Sequence, residues 1–189
     1  LDRCQRDIHT QWKASPSRRF VLNCSRRLGK SFLLVVDAIS HALTNPASQI
    51  RYAAPTAKEV RTFTSPLFAS VLSTCPVSLR PEWRSQDGVW KFHNGSEIHL
   101  VGCDKGNAEN LRGNVTHRAY IDEAGQIDAV DYIISDILMP QTMGVDGRIL
   151  IASTPSTTPA HPYTRLCTDA EASGAYVKKT IYDCPRYSS

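Results

Sequence analysis

Residues 19–31 read RFVLNCSRRLGKS: Arg19-Phe20-Val21-Leu22-Asn23, then Cys24-Ser25-Arg26-Arg27-Leu28-Gly29-Lys30-Ser31. The first five have the composition of a short buried strand, entered from the loop Ser15-Pro16-Ser17. Behind Ser31 an apolar run, 32–43, has the length of a helix and stops at Thr44-Asn45-Pro46, because proline cannot continue one. Strand, tight loop and helix form the setting in which G-x-x-x-x-G-K-[ST] cradles phosphate, the Walker A motif. Residues 24–31 match it except at the first glycine, where Cys24 stands. Each match has a reason. Gly29 lets the backbone bend around an anion. The amides from Ser25 to Leu28 and those opening the helix point at it. Lys30 reaches terminal phosphates, and Ser31 can ligate Mg²⁺. Arg26 and Arg27 would add charge beside a nucleotide; the bland alternative has them facing solvent. A Gly-Lys-[Ser/Thr] triplet alone is weak, since average composition places one in roughly one chain in ten of this size. Its position between strand and helix carries the reading.

Working outward, 49–54 reads as a second strand closed by Pro55, and 57–72 as a helix in which Pro66 marks a kink or an end. Residues 74–84 read as loop. Segments 89–93 and 97–101 flank Asn94-Gly95-Ser96, a hairpin signal. Polar residues 103–113 read as loop, 117–121 as strand, 130–139 as helix, 148–152 as strand and 175–182 as a last strand. Strands alternating with helices, interrupted by one hairpin, imply a three-layer α-β-α domain over 1–189 with a mostly parallel sheet.

The strand 117–121 ends in Asp122-Glu123-Ala124. Two acids at a helix start are common, because the helix dipole favours them there. Placed downstream of a phosphate loop they read instead as Walker B. Asp122 would hold Mg²⁺, directly or through water, and Glu123 would orient or deprotonate the attacking water. The nucleotide implied is ATP.

Composition sets limits. Twenty-two Lys and Arg against eighteen Asp and Glu give a net charge of +4, which permits contact with nucleic acid without requiring it. The cysteines at 4, 24, 75, 103, 167 and 184 include no CxxC pair, so free thiols are expected in place of a zinc site or disulfide framework, with Cys75 and Cys103 as small buried hydrophobes. No apolar stretch approaches a membrane span, so no membrane partner is expected. The sequence opens on Leu1 without a signal peptide, and reads as a piece of something longer.

Taken in order, these features resemble the ATPase domain of the large terminase subunit, the motor that packages DNA into tailed-phage and herpesvirus capsids. Gln5 stands where that family has an adenine-contacting glutamine, with Gln11 a rival. The SRRLGKS loop bears arginines as the family's does, and Ala54-Pro55-Thr56 ends the second strand. Residues 90–98 match its "NGS" hairpin. Leu111-Arg112-Gly113 precedes the IDEA strand, and Ser153-Thr154-Pro155 stands at the family's coupling motif, although an ordinary turn would read the same. Residues 180–185 resemble the exit toward a nuclease domain. The departure is Cys24, at a position that varies in the family.

The resemblance implies an ASCE, RecA-like P-loop fold that uses ATP and Mg²⁺. It implies double-stranded DNA as the translocated partner, and a homo-oligomeric ring on the capsid portal working with the portal protein and small terminase subunit. Its place would be the cytoplasm of the infected host. It further implies Arg112 as an arginine finger acting on a neighbouring subunit, with Gly113 letting the loop reach across; a solvated loop arginine is the alternative, and Arg118 and Arg26 are rivals. The family's nuclease carboxylates are expected beyond Ser189, so no DNA cleavage is expected of this chain. Two other readings stay open. A helicase-like ATPase shares the DEA and STP echoes, and an ATP-gated assembly protein would bind without turnover. Trp83 and Trp90 read as packing residues.

Overall fold

The computed structural model describes residues 1–104, 106–156 and 158–184. Its sheet has eight strands: β1 Arg19–Cys24, β2 Gln49–Ala54, β3 Glu82–Arg84, β4 Val89–Lys91, β5 Glu97–Gly102, β6 Arg118–Ile121, β7 Arg148–Ser153 and β8 Tyr176–Lys179. They lie in the order β3-β4-β5-β2-β6-β7-β1-β8. From β5 to β8 every neighbour is parallel, while β3 and β4 add an antiparallel edge. The central strands are buried on both faces, as parallel strands covered by helices must be, so they read as continuous apolar runs.

Strand alternation sorts the core into two layers. Phe20, Leu22, Ile50, Tyr52, Tyr120 and Leu150 face α1 (Arg3–Ala14), α2 (Lys30–Thr44) and α4 (Ser65–Ser73). Val21, Ala53, Ala119, Ile121, Ile149 and Ile151 face the helical segments at 130–143 and α7 (Pro162–Ala172). The three-layer α-β-α architecture expected from the sequence is therefore present, with its added hairpin. The hairpin turns at Gly95, whose φ of 83° needs glycine, and the Asn94 side chain donates to the Ala42 carbonyl at 2.8 Å.

Several expectations are corrected. The helix 57–72 is three pieces: α3 (Ala57–Glu59), a π-helical turn (Val60–Thr64) and α4. Pro66 sits in the first turn of α4, directly behind the π turn. Residues 130–143 likewise run α5 (Val130–Tyr132), a π turn (Ile133–Leu138) and α6 (Met139–Met143). The expected loop 74–84 contains β3, whose Trp83 ring lies 4.8 Å from Trp90 across the pair, the packing role expected of both. The last strand stops at Lys179, because Thr180 and Asp183 close a capping box around the 3₁₀ turn Ile181–Asp183. Of the exit segment 180–185, Pro185 lies outside the described residues. Cys4 and Cys184 are joined in a disulfide, against the expectation of free thiols. Strand β8 pairs with β1 at the sheet edge, and this brings the two cysteines together across a separation of 180 residues. Cys75 and Cys103 are half-buried and only flank the core. Among the described residues no helix is long and apolar enough to cross a membrane.

A buried carboxylate fastens α1 to this frame. Asp37 of α2 is fully buried and accepts from His9 Nε2 at 2.8 Å, Trp12 Nε1 at 3.0 Å, Lys13 Nζ at 2.8 Å and the Tyr120 hydroxyl at 2.7 Å. Burial opposes the charge, but these donors outweigh it and hold the carboxyl well below its usual range. Nearby His41 goes the other way. Burial, aided by Arg118, pushes its pKa down to about 4, and its Nδ1 accepts from the Asn45 amide at 3.1 Å. An unfolded histidine titrates near 6.5, so this contribution to stability is complete above that pH and is lost as pH falls toward 4. Between pH 7 and 5 the free energy of chemical unfolding is expected to drop by about 2 kcal/mol through this residue. In His41→Gln that part of the slope should vanish.

Candidate active site

The phosphate loop leaves β1 at Cys24. That residue is still strand, in register with Lys179, and its φ is not positive; a glycine is not required there, and the departure from the motif is harmless. The turn comes later. Arg27 and Gly29 both have left-handed backbone, with φ of 67° and 72°. A side chain at Gly29 would run into the Gln5 amide. Gly29 caps α2 without any side chain satisfying the helix's first amides, which are left for an anion. Lys30 is 7% exposed and donates to the carbonyls of Cys24 at 3.3 Å and Ser25 at 3.4 Å. Leu28 is buried beneath the loop, Ser25 is half-buried, and Arg26 and Arg27 are exposed.

The two acids come off the end of β6 with different surroundings. Asp122 is buried, with Oδ1 accepting from the Glu123 amide at 3.0 Å and Oδ2 from the Tyr52 hydroxyl at 2.9 Å. Ser31 stands beside this carboxylate, near enough to favour its charged form. Burial pushes its pKa up, against the pull of Ser31, Tyr52 and Lys30. Ser31 and Asp122 thus form an oxygen donor set of the hard kind that suits a small divalent cation. Glu123 takes a left-handed backbone, φ 47°, uncommon for a residue with a side chain and found where a site constrains the chain. Its carboxylate lies 3.7 Å from Lys30 Nζ. Ser153 and Thr154 reach its other oxygen, each at 3.5 Å, and Ser153 Oγ also accepts from the Gly125 amide at 2.9 Å. The end of β7 therefore touches the Glu123 turn directly, through Ser153 and Thr154; Pro155 is exposed beside them.

Gln5 arrives from α1. Its amide nitrogen donates to the Gly29 carbonyl at 3.1 Å, while its oxygen accepts from the Asp2 amide at 2.9 Å in a capping box. In this state it is a strut under the loop. The rival Gln11 bonds Asp7 on the surface. Asp2-Arg3-Cys4-Gln5 carries the capping-box spacing, the signal that would have announced α1.

Arg112 is not at this cluster. It is exposed, with Nε on Glu109 at 2.5 Å, Nη2 on the Tyr132 hydroxyl at 3.0 Å and Nη1 on the Asp136 carbonyl at 3.2 Å. A Cβ at Gly113 would meet the end of the buried Arg51 side chain, which would have to shift to admit it. Arg118 turns back onto the His117 carbonyl at 2.8 Å. Sequence reasoning missed Tyr52, which no motif marks.

The sequence over residues 21–187 matches the family described as terminase large subunit, T4likevirus-type, N-terminal. Among proteins of curated function none matches. Solved structures do. The large terminase of a thermophilic bacteriophage superposes with a TM-score of 0.77 at 16% identity, over 95% of this chain and 45% of that one. The same protein in complex with ADP gives 0.73 at 17% identity, over 95% and 45%. The ATPase domain of the Thermus phage P74-26 large terminase gives 0.66 at 23%, over 84% and 66%. The large terminase of bacteriophage HK97 gives 0.75 at 17%, over 96% and 39%. This chain spans less than half the length of the thermophilic-phage and HK97 proteins. With the mostly parallel sheet, the phosphate loop and the carboxylate turn already in place, the match over residues 21–187 makes the chain a member of the terminase large subunit family, as its N-terminal ATPase domain.

Proposed function

We propose that this domain binds ATP with Mg²⁺ and hydrolyses it to drive double-stranded DNA into a viral procapsid. The observation that carries the reading is the convergence of Lys30, Ser31, Asp122 and Glu123 on one face of the phosphate loop, with Lys30 and Glu123 3.7 Å apart. Loop amides and Lys30 receive the terminal phosphates, and Arg26 and Arg27 add charge at the mouth. Ser31 and Asp122 would hold Mg²⁺; bound there, it supplies positive charge across the phosphate oxygens. Glu123, fixed by its left-handed turn and by Ser153 and Thr154, takes the proton of the attacking water. Its contact with Ser153-Thr154-Pro155 gives hydrolysis a route into β7. The ADP held by the thermophilic phage's large terminase supports the nucleotide class. Gln5 reads the base only after leaving its two present partners. The motor works as a ring on the capsid portal with the portal protein and small terminase subunit, in the host cytoplasm.

In such a ring Arg112 completes the site of a neighbour. Its side chain is exposed and stands on an acid and a phenol that a phosphate can replace as partners. Arg112→Ala is expected to bind ATP normally and to hydrolyse it about 10³-fold more slowly. Mixed with Lys30→Ala, which keeps the finger but lacks the pocket, it should regain phosphate release under conditions that support assembly. An assembled Arg112→Ala that hydrolyses like the parent would transfer the role to Arg118 or Arg26.

A further inference from the structure

Tyr52 and Tyr120 stand side by side in the register of β2 and β6. Their rings stack at 6.0 Å with 25° between planes, and both are fully buried. Each phenol donates to a different buried aspartate: Tyr120 to Asp37 at 2.7 Å, Tyr52 to Asp122 at 2.9 Å. Asp37 already has His9, Trp12 and Lys13, so its tyrosine is one donor among four and serves the attachment of α1. Asp122 has no such surplus. Its one other donor by geometry is the Glu123 amide, and Ser31 beside it is the side chain that would share a cation with it.

We propose that Tyr52 is the positioning residue of the metal site: its hydroxyl fixes the Asp122 carboxylate so that one lone pair stays aimed beside Ser31. The inference rests on the reading of Asp122 and Ser31 as Mg²⁺ ligands. An ionised carboxylate offers roughly four lone-pair directions. The Glu123 amide and the Tyr52 phenol, one on each oxygen, set the plane of the group. Tyr52 cannot swing away. Tyr120 lies against one side of its ring, and Phe68 of α4 meets it edge-on at 5.3 Å and 84°. A carboxylate able to rotate would have to be ordered again each time the cation bound, which weakens binding without touching any phosphate contact.

The test is titration of MnCl₂ into the ADP-bound protein, read by the electron paramagnetic resonance of free Mn²⁺, with ADP affinity in EDTA measured beside it. Tyr52→Phe keeps the ring and removes only the hydroxyl. It is expected to weaken Mn²⁺ binding about tenfold, the scale of one hydrogen bond to a charged group, and to leave metal-free ADP affinity as it was. Tyr120→Phe, an equal deletion on the neighbouring ring, should lower the thermal midpoint and leave Mn²⁺ affinity unchanged. In the unmodified protein the slowly exchanging Tyr52 hydroxyl proton should shift in NMR spectra when Mg²⁺ joins the ADP complex, and that of Tyr120 should not; this measurement stands even if Tyr52→Phe fails to fold. Unchanged Mn²⁺ affinity in Tyr52→Phe, or equal weakening in both variants, overturns the proposal. Asp122→Asn separates the two levels. If it too binds Mn²⁺ normally, the ligand assignment itself is wrong; if it alone loses the metal, the ligand stands and the role given to Tyr52 falls.

Discussion

Glu123→Gln is expected to bind ATP as the parent does and to release phosphate roughly 10²- to 10⁴-fold more slowly, the range over which a positioned general base acts. The substitution is close to isosteric. It leaves the left-handed turn at φ 47° and the reach toward Ser153 and Thr154 intact, and removes only the capacity to take a proton. The contact with Lys30 at 3.7 Å loses its charge component, which frees the lysine for phosphate. Calorimetry and steady-state phosphate release on one preparation check both halves. Normal turnover would place the water-activating group elsewhere.

Lys30→Ala should do the opposite and remove binding itself. A lysine at 7% exposure is held by two loop carbonyls, on the proposed reading beside the terminal phosphates, and no other buried cation stands in the loop 24–31, all of it among the described residues. Each hydrogen bond it gives to a charged oxygen is worth about 1.5–3 kcal/mol, so losing two of them weakens ATP affinity on the order of 10²- to 10⁴-fold. Turnover falls with it. Unchanged affinity for ATP in calorimetry would remove the phosphate-loop assignment. The pair of variants separates a site that cannot hold nucleotide from one that holds it without reacting.

Why these residues could be read from sequence, and others could not, follows from what constrains them. On the proposed function Gly29, Lys30 and Ser31 answer to a ligand, and a phosphate makes the same demands of any chain: a left-handed turn, free amides, a point charge. Asp122 and Glu123 would answer to the same ligand from the end of a strand whose apolar run is plain. The hairpin was legible because Asn94-Gly95-Ser96 satisfies its own turn locally. The rest depends on distance along the chain. Gln5 meets Gly29 across 24 residues and Asp37 meets Trp12 across 25, and neither contact leaves a periodicity. Tyr52 finds Asp122 across 70 positions, through a strand pairing that the sequence does not state. The π turns at 60–64 and 133–138 differ from an α-helix only in that each amide bonds a carbonyl one residue further back, a choice settled by packing. Strand β3 is three residues long, below what alternation can reveal. Arg112 was placed by resemblance; its partner Glu109 is local, three residues back, but Tyr132 comes from a segment that only the folded chain brings to it.

The helix that opens the chain lies outside the segment by which the family is recognised, which starts at residue 21. It would be natural to draw the unit's border there and treat what precedes it as a leader. The buried ion at Asp37 forbids that border. Trimmed at residue 21, the chain would keep a carboxylate at the centre of its first layer with one phenol for company, stripped of His9, Trp12 and Lys13. Arg148 would lose the indole it stacks on at 3.8 Å and the carbonyls of Trp12, Ser15 and Ser17. The smallest self-sufficient body is thus larger than the recognisable one, and its true edge lies ahead of the first strand.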